Sequence, residues 1–378
     1  MDLSGALWAS FEKARKEYEK AKEHGNIEVA RKKAKECANI MRALAKNSPQ
    51  YGDIYLKRAR KWEEIAKSKK KMYESGAGKE EDEIKSYIES LISKSKVQWN
   101  DIGGLKKVKR LMMETIVIAS LNKPKAIKPW KGILLYGPPG TGKTLLAAAS
   151  AGSLDATFFN VKADKIISKY FGESSKLVSK LYEVAKEKAP SIVFIDEFDA
   201  LSLSRSMDTS EAARRMLSTL LSELDGFQDK DNDEFVLTLA ATNTPWDLDT
   251  AILSRFPRRI YVPLPDEEAS KEIIKIHTSG LDISNLNLTK IAKKCVERFY
   301  SGRDIANLCQ QAIWNMIREE NKNLAELSKF SYNELRSKEL KIRPLRMEDF
   351  YKAFEKVKSP LTEEDIKKYE KWDEEYGG

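Results

Sequence analysis

The chain has 378 residues, 41% of them apolar and 33% charged, with 67 Lys and Arg against 58 Asp and Glu for a net charge of +9. That length suits two or three domains, and that apolar share is enough for a sizeable core, so wholesale disorder is excluded. Three scattered cysteines (Cys37, Cys295, Cys309) and two distant histidines (His24, His277) give no disulfide framework and no zinc spacing. The start, MDLSGALWASFEK, lacks the basic, apolar pattern of a leader, and no apolar run approaches the roughly 18–20 residues that span a bilayer, so a secreted or membrane-spanning protein is not expected and a cytoplasmic one is.

The charge is uneven: residues 1–75 hold 19 Lys and Arg against 11 Asp and Glu, a net +8, and the other 303 residues carry the remaining +1. Helical spacing predicts three helices in this basic segment. Leu7, Phe11, Ala14, Tyr18 and Ala21 form one stripe; Ile27, Ala30, Ala34, Cys37, Met41 and Leu44 a second; Tyr55, Ala59, Trp62, Ala66 and Tyr73 a third. Gly25-Asn26 and Asn47-Ser48-Pro49 break the chain between them. Short loops favour antiparallel neighbours, hence a three-helix bundle. Ser75-Gly76-Ala77-Gly78 reads as a joint. After it, Ile84, Tyr87, Ile88 and Leu91 recur at helical spacing, which suits either a helical extension or a segment that orders on binding.

From Val97 strand-like runs alternate with helical patterns. Ile133–Tyr136, Thr157–Val161, Ile192–Ile195, Val236–Ala241 and Arg259–Val262 are the expected strands. That alternation predicts a parallel sheet covered by helices on both faces. Past Pro265 the pattern is helical, over Glu272–Ser279, Leu288–Phe299, Arg303–Asn321 and Met347–Val357, and Leu361–Tyr376 reads as one more helix with Thr362 capping it.

Gly137-Pro138-Pro139-Gly140-Thr141-Gly142-Lys143-Thr144 follows the first of these strands and precedes the helical run that begins at Leu145. This is the context of a phosphate-binding loop: glycines let backbone N–H groups approach phosphate, and the helix N-terminus adds favourable potential. Lys143 would neutralise the β- and γ-phosphates and Thr144 ligate Mg²⁺. About 50 residues on, Ser191–Glu197 is an apolar strand ending in two acids. Asp196 is expected to hold Mg²⁺ and Glu197 to orient and deprotonate water. Asn243 ends another apolar strand; from the residues alone a γ-phosphate sensor and a turn asparagine read equally well. Ser254–Arg259 carries three arginines, either a solvated turn or guanidinium groups presented to a neighbouring subunit's phosphate.

Taken together, GPPGTGKT, IDEFDA, ATNTPWDLDTAI and RFPRRIYVPLPD, in this order, resemble the ATPase cassette of the AAA family. WNDIGGL at Trp99–Leu105 is similar to the segment that precedes the cassette and wraps the adenine. Ser210–Phe227 and Ser301–Leu308 resemble the second pore loop with its helix and the lid helix of the meiotic clade. Pro360–Gly377 and the N-terminal segment look like the terminal helix and the microtubule-interacting-and-transport (MIT) domain of the group that disassembles ESCRT-III filaments, archaeal cell-division relatives included. The resemblance implies an α/β P-loop AAA module with a parallel sheet and an α-helical lid, preceded by an all-α three-helix MIT-like bundle. Its divisions would be an adaptor over 1–75, a linker over 76–96, the large ATPase subdomain over 97–265, the lid over 266–360 and a terminal helix over 361–378.

Roles follow for matching positions. Asp101, Ile102, Gly103, Pro138, Gly140, Thr141, Gly142, Lys143, Thr144, Leu145 and Gly302 would hold ATP; Thr144 and Asp196 would hold Mg²⁺. Glu197 would be the base, Asn243 the first sensor, and Arg255 and Arg258 fingers acting across a ring, a hexamer. Lys169, Tyr170 and Phe171 match the first pore loop, and Glu211, Arg214 and Arg215 the second. Two departures stand out. Only about 25 residues separate Ile317 from Arg343, too few for the small β domain that eukaryotic members insert, and Ser254 stands where they carry another arginine.

The implied function is ATP-driven disassembly of ESCRT-III-like filaments in membrane scission or cell division. Residues 1–75 would dock the filament proteins' tails, giving the enzyme an indirect membrane association. Microtubule severing is the alternative, since those enzymes share the core and the N-terminal domain. A nucleic-acid motor is a weaker reading, because no recognition motif accompanies the basic module.

Overall fold

The computed structural model describes residues 3–23, 27–47, 52–67, 84–121, 124, 127, 130–163, 174–203, 211–229 and 235–378. The Ser75–Gly78 joint and the first pore loop, with Lys169, Tyr170 and Phe171, lie outside the described residues. The chain divides into two units, Met1–Ser86 and Tyr87–Gly378.

In the first unit three helices run over Leu3–Glu23, Ile27–Asn47 and Gly52–Lys67. Where described, the side chains of the expected stripes are buried or half-buried; Tyr73 lies outside the described residues. Phe11, Ala14, Cys37, Met41, Leu44 and Ala59 form the core, with Leu7, Trp8, Ile40, Tyr55 and Trp62 packed at its edge. Alanines at 30, 34 and 38 are fully buried, and their small size lets the second helix approach its neighbours closely. The first and third helices meet through rings: Trp8 on Tyr55 at 6.2 Å, Phe11 on Trp62 at 6.1 Å and Tyr18 on Trp62 at 5.1 Å, all edge-on. Such pairs add about 0.5–1.5 kcal/mol each beyond their burial. Residues 84–90 are helical, with Ile84 and Ile88 buried.

The second unit is built on a six-stranded sheet. Its strands are β1 (Ile92–Ser93), β2 (Gly132–Tyr136), β3 (Thr157–Lys162), β4 (Ser191–Asp196), β5 (Val236–Thr242) and β6 (Arg258–Tyr261). The order is β1-β3-β4-β5-β2-β6, parallel throughout except for β1, which pairs antiparallel with β3 through Ile92 opposite Phe159. The five expected strands are present within a residue or so at each end. The edge strand β1 has no counterpart in the sequence pattern. Two residues leave no alternation to read, and their pairing is a matter of backbone alone.

β2 and β5 are buried along their whole length, as uninterrupted apolar runs in a covered parallel sheet should be. Helices Lys106–Ser120 and Lys143–Leu154 supply Val108, Met112, Ile116, Leu146 and Ala147 to the core on the sheet. One buried polar pair crosses the other packing layer: the Tyr182 and Thr238 hydroxyls lie 2.9 Å apart.

Past β6 the lid gathers four helices, Glu267–His277, Leu288–Glu297, Gly302–Glu320 and Met347–Lys356, around Ile274, Ile291, Leu308, Met316, Phe350 and Phe354. The first begins five residues earlier than its periodicity predicts. Asp266 caps it, accepting from Ala269 N at 2.7 Å, and Glu267 and Glu268 in the first turn favour the helix N-terminus. The terminal helix spans Glu363–Tyr376, with Thr362 and Asp365 in a reciprocal capping box. As the N-cap, Thr362 leaves Leu361 outside the helix.

Candidate active site

The carboxyl ends of β2, β4 and β5 open into one cavity of about 410 Å³. In an open parallel sheet this is where ligands bind, because the loops leaving the strands diverge there.

After β2 the chain turns through residues 137–142 into helix Lys143–Leu154. Gly140 and Gly142 hold φ values of +79° and +97°, which a side chain would strain. A Cβ on Gly140 would stand 2.6 Å from Ser301 Oγ. Around Gly142 nothing lies within 4 Å of that position, so the loop backbone is open to a ligand. The Thr141 hydroxyl donates to Pro138 O at 2.9 Å. Lys143 is buried, and its Nζ donates to Gly137 O and Pro138 O, both at 2.8 Å. Burial pushes this amine down to about 8; Asp196 counters that and Arg303 reinforces it. The cation is thus held by carbonyls of its own loop, a cradle that a phosphate can replace with full charge.

After β4, Asp196 Oδ2 accepts from the Thr144 hydroxyl at 3.1 Å, linking the two strand ends. Glu197 N donates to Asp196 Oδ1 at 3.0 Å. Glu197 itself has a φ of +55°, a conformation that costs a non-glycine residue about 1–2 kcal/mol. The turn is fixed from behind: Phe198 is fully buried, its N–H donates to Ala241 O at 2.9 Å, and its ring meets Phe256 edge-on at 5.4 Å. This anchoring leaves the Glu197 carboxylate exposed at the cavity.

After β5 comes Asn243, also at the cavity. Its carbonyl accepts from the Tyr369 hydroxyl of the terminal helix at 2.5 Å. Burial pushes that phenol up to about 12, so it remains a donor at ordinary pH. The same helix reaches β2 through the Tyr136–Asp373 hydrogen bond and Trp372 on Tyr136, and the residues just past its end reach β6 through Gly378 paired with Arg259. One helix therefore ties down three strand ends. Tyr369→Phe keeps the ring and removes only the hydroxyl; we expect ATP turnover to fall about three- to tenfold with KM for ATP nearly unchanged, read from steady-state phosphate release.

Of the residues expected from the sequence, Asp101, Ile102, Gly103, Gly140, Thr141, Gly142, Lys143, Thr144, Leu145, Asp196, Glu197, Asn243 and Gly302 all line this cavity. Pro138 contributes its carbonyl from behind. Arg255 and Arg258 do not line it. Arg255 is held by Asp225, with Nε 3.1 Å from Oδ1 and Nη2 2.9 Å from Oδ2, and Arg258 lies over the Trp130 ring at 5.0 Å. Glu211, Arg214 and Arg215 lie in the first turns of the helix Glu211–Asp229. Sequence reasoning missed the lid's share: Ile273, Ile276, His277, Arg303 and Ala306 also face the cavity. Arg303 stands beside Gly302 in the segment already singled out; Ile273 and Ile276 could not be told from lid-core residues without the fold.

The donor set suits a nucleoside triphosphate with a hard divalent cation. The buried amine and open loop suit phosphate, the Thr144 and Asp196 oxygens suit Mg²⁺, and Ile102, Leu145, Ile273 and Ile276 give apolar walls for a base.

Comparison with known proteins agrees. Residues 133–264 match the model of the ATPase family associated with various cellular activities (AAA), and residues 324–377 match the Vps4 C terminal oligomerisation domain. The chain is 39% identical over 314 residues to a katanin p60 ATPase-containing protein of Danio rerio, covering 80% of this chain and 63% of that one. It is 39% identical over 297 residues to spastin of Naegleria gruberi, covering 77% and 54%. Among solved structures, the FIGL-1 AAA domain in complex with ADP superposes with a TM-score of 0.66 at 35% identity, over 78% of this chain and 97% of that domain. A katanin structure described as the basis of its self-assembly gives 0.62 at 32%, over 77% and 96%. The chain spans less than two thirds of the length of these curated relatives. These relatives correct the expected function: katanin and spastin stand where an ESCRT-III-disassembling ATPase was expected, and they are the microtubule-severing group held as the alternative. The loop, the paired acids and the lid, with these relatives, place the chain in the AAA family of ATPases, in the meiotic clade that holds katanin and spastin.

Proposed function

We propose that this chain is one member of a ring-forming ATPase of the microtubule-severing type, which uses ATP to pull on a polypeptide in a filament. The observation that carries the reading is the convergence of Lys143, the Thr144–Asp196 pair, Glu197 and Asn243 on one cavity in a chain whose relatives are katanin and spastin.

In this reading Lys143 leaves its loop carbonyls for the β- and γ-phosphates. Thr144 and Asp196 would hold Mg²⁺, which when bound supplies charge neutralisation on the phosphates. Glu197, rigidly presented by its turn, takes the proton of the attacking water. Asn243 orients that water or the γ-phosphate, steadied by Tyr369. Arg255 and Arg258 have no phosphate of their own and would serve a neighbour's site. Two matches support assembly into a ring, the oligomerisation domain at residues 324–377 and the katanin self-assembly structure.

Tyr170 and Phe171 would grip an extended chain in the pore by apolar contact, which depends little on sequence; Lys169 and the basic start of the helix at Arg214 and Arg215 would flank it. The first unit would serve for recruitment. With net +8 over residues 1–75, it suits an acidic protein surface reached by fast, salt-sensitive encounter.

The test is a severing assay with the full chain, stabilised fluorescent microtubules and ATP. Internal breaks that require ATP and vanish in Glu197→Gln are expected. Intact filaments at a protein concentration that hydrolyses ATP would contradict the target.

A further inference from the structure

Two charged side chains hold the base side of the cavity from behind. The loop over residues 102–105 enters the helix Lys106–Ser120 with Gly104 and Leu105 at φ +67° and +54°, and no side chain caps that helix. A residue such as Leu105 keeps a left-handed conformation only where its surroundings hold it there. Lys109 does so twice: its backbone N–H donates to Leu105 O at 2.8 Å, and its Nζ folds back to donate to Ile102 O at 2.5 Å. From the lid, Glu272 Oε2 accepts from Gly104 N at 2.6 Å. Between these two side-chain bonds lies Gly103, which is buried and lines the cavity with Ile102. A Cβ on Gly103 would stand 2.7 Å from Ile273 Cγ1, and one on Gly104 3.0 Å from Ala269 Cα, so the loop backbone lies directly against the first lid helix.

Lys109 and Glu272 give their charge to this backbone and not to each other: among the described residues no ion pair joins them. Burial disfavours the charge of the Lys109 amine, and Glu272 counters that. A half-buried cation and a half-buried anion at the two ends of one short loop hold it more firmly than neutral groups would. Neither side chain lines the nucleotide cavity. Glu272 lines instead a second cavity, of about 640 Å³, which Gly104 and Leu105 also border. The pair can therefore act on a nucleotide only through the main chain it holds. Ile102, Leu145, Ile273 and Ile276 would accept any flat ring. The Gly103 N–H and C=O, which have no partner among the described residues, can tell one ring edge from another.

We propose that Lys109 and Glu272 are positioning residues which set the Gly103 backbone against the base, so that the site's selectivity for one purine rests on two charges that never touch the nucleotide. This depends on the nucleotide reading of the cavity. The large subdomain supplies one charge and the lid the other, so the base edge is read only while the lid is docked on the loop. The pair is distinct from Lys143, which acts at the phosphate end of the same cavity.

The test is equilibrium binding of ATP, GTP and adenosine to the full chain and to Lys109→Met, Lys109→Arg and Glu272→Gln, with thermal unfolding as a check on the fold. The parent is expected to bind ATP more tightly than GTP. In Lys109→Met, affinity for ATP and for adenosine should fall by the same factor, about tenfold, and the preference for ATP over GTP should narrow. Lys109→Arg should recover part of both. Glu272→Gln keeps an acceptor for Gly104 N and should show a smaller change in the same direction; it carries the test from the lid should Lys109→Met fail to fold. Loss for ATP with adenosine unchanged would place Lys109 at the phosphates and overturn the proposal. Equal loss with the parent's ATP-to-GTP ratio retained would leave the pair a structural role alone and would also overturn it. A parent that binds ATP and GTP alike, or unchanged binding by both Lys109→Met and Glu272→Gln, would overturn it while sparing the nucleotide reading. No ATP binding by the parent would remove both.

Discussion

Glu197→Gln is expected to lower ATP turnover by about 10²–10⁴ while leaving ATP affinity within about twofold. Gln has the size of Glu and can hold the same left-handed turn, so the hydrogen bond from residue 197 N to Asp196 Oδ1 and the buried Phe198 anchor behind it stay in place. What is lost is the one property a base needs, a carboxylate that can accept a proton. Loss of turnover without loss of binding separates this role from a structural one. Phosphate release and titration with a fluorescent nucleotide measure the two quantities, and assembled protein should accumulate in ATP because the bound state persists. Turnover equal to that of the parent would remove Glu197 from the chemistry.

Lys143→Ala is expected to weaken ATP binding by about 10–150-fold, the range for a hydrogen bond to a charged group. The parent should also show a characteristic pH dependence. Burial holds the free amine near 8, and the protonated form is the one that attracts phosphate. Below that pH the amine is charged and affinity is level. As pH rises through about 8, binding must also supply a proton, and affinity falls with each further unit until the amine of the complex titrates. Lys143→Ala should be weak and flat across the same range. Affinity for the parent that stays constant through this pH would mean that the amine makes no contact with the phosphates.

The parts of this site that lie on continuous chain were legible in the sequence. The strand run Ile133–Tyr136 followed by the glycine loop, and the apolar run that delivers Asp196 and Glu197, carry their own patterns and end where the chemistry begins. Thr362 and Asp266 show how capping sharpens or shifts a helix boundary. Thr362 is visible as a cap. Asp266 is hidden, because the acidic first turn that favours a helix start also resembles a polar loop. The edge strand Ile92–Ser93 has no pattern of its own; it exists because Phe158 and Phe159 present a free strand edge.

What escaped the sequence is tertiary in origin. The Tyr369 hydroxyl meets the Asn243 carbonyl across 126 positions of chain, and no local signal marks either partner. Arg303 reads as an ordinary helix residue until the lid is folded against Gly140. The expected ESCRT-III target gives way for a different reason. The cassette motifs are common to the whole clade, and a basic three-helix unit does not by itself distinguish one acidic filament from another; the identity to katanin and spastin along most of the chain is what favours the proposed target.

Arg255 and Arg258 stand outside the cavity that Lys143, Asp196 and Glu197 share; in the proposed reading a lone protomer would hold the water-activating side of the site and lack its fingers. The most direct measurement is ATP turnover per protomer over a dilution series of the full chain, with the assembled fraction followed by sedimentation velocity in the same samples. Turnover per protomer is expected to rise in step with assembly and to stay low in Arg258→Ala even when that variant assembles. A turnover per protomer that is the same for the monomer as for the assembled protein would contradict a site completed between neighbours.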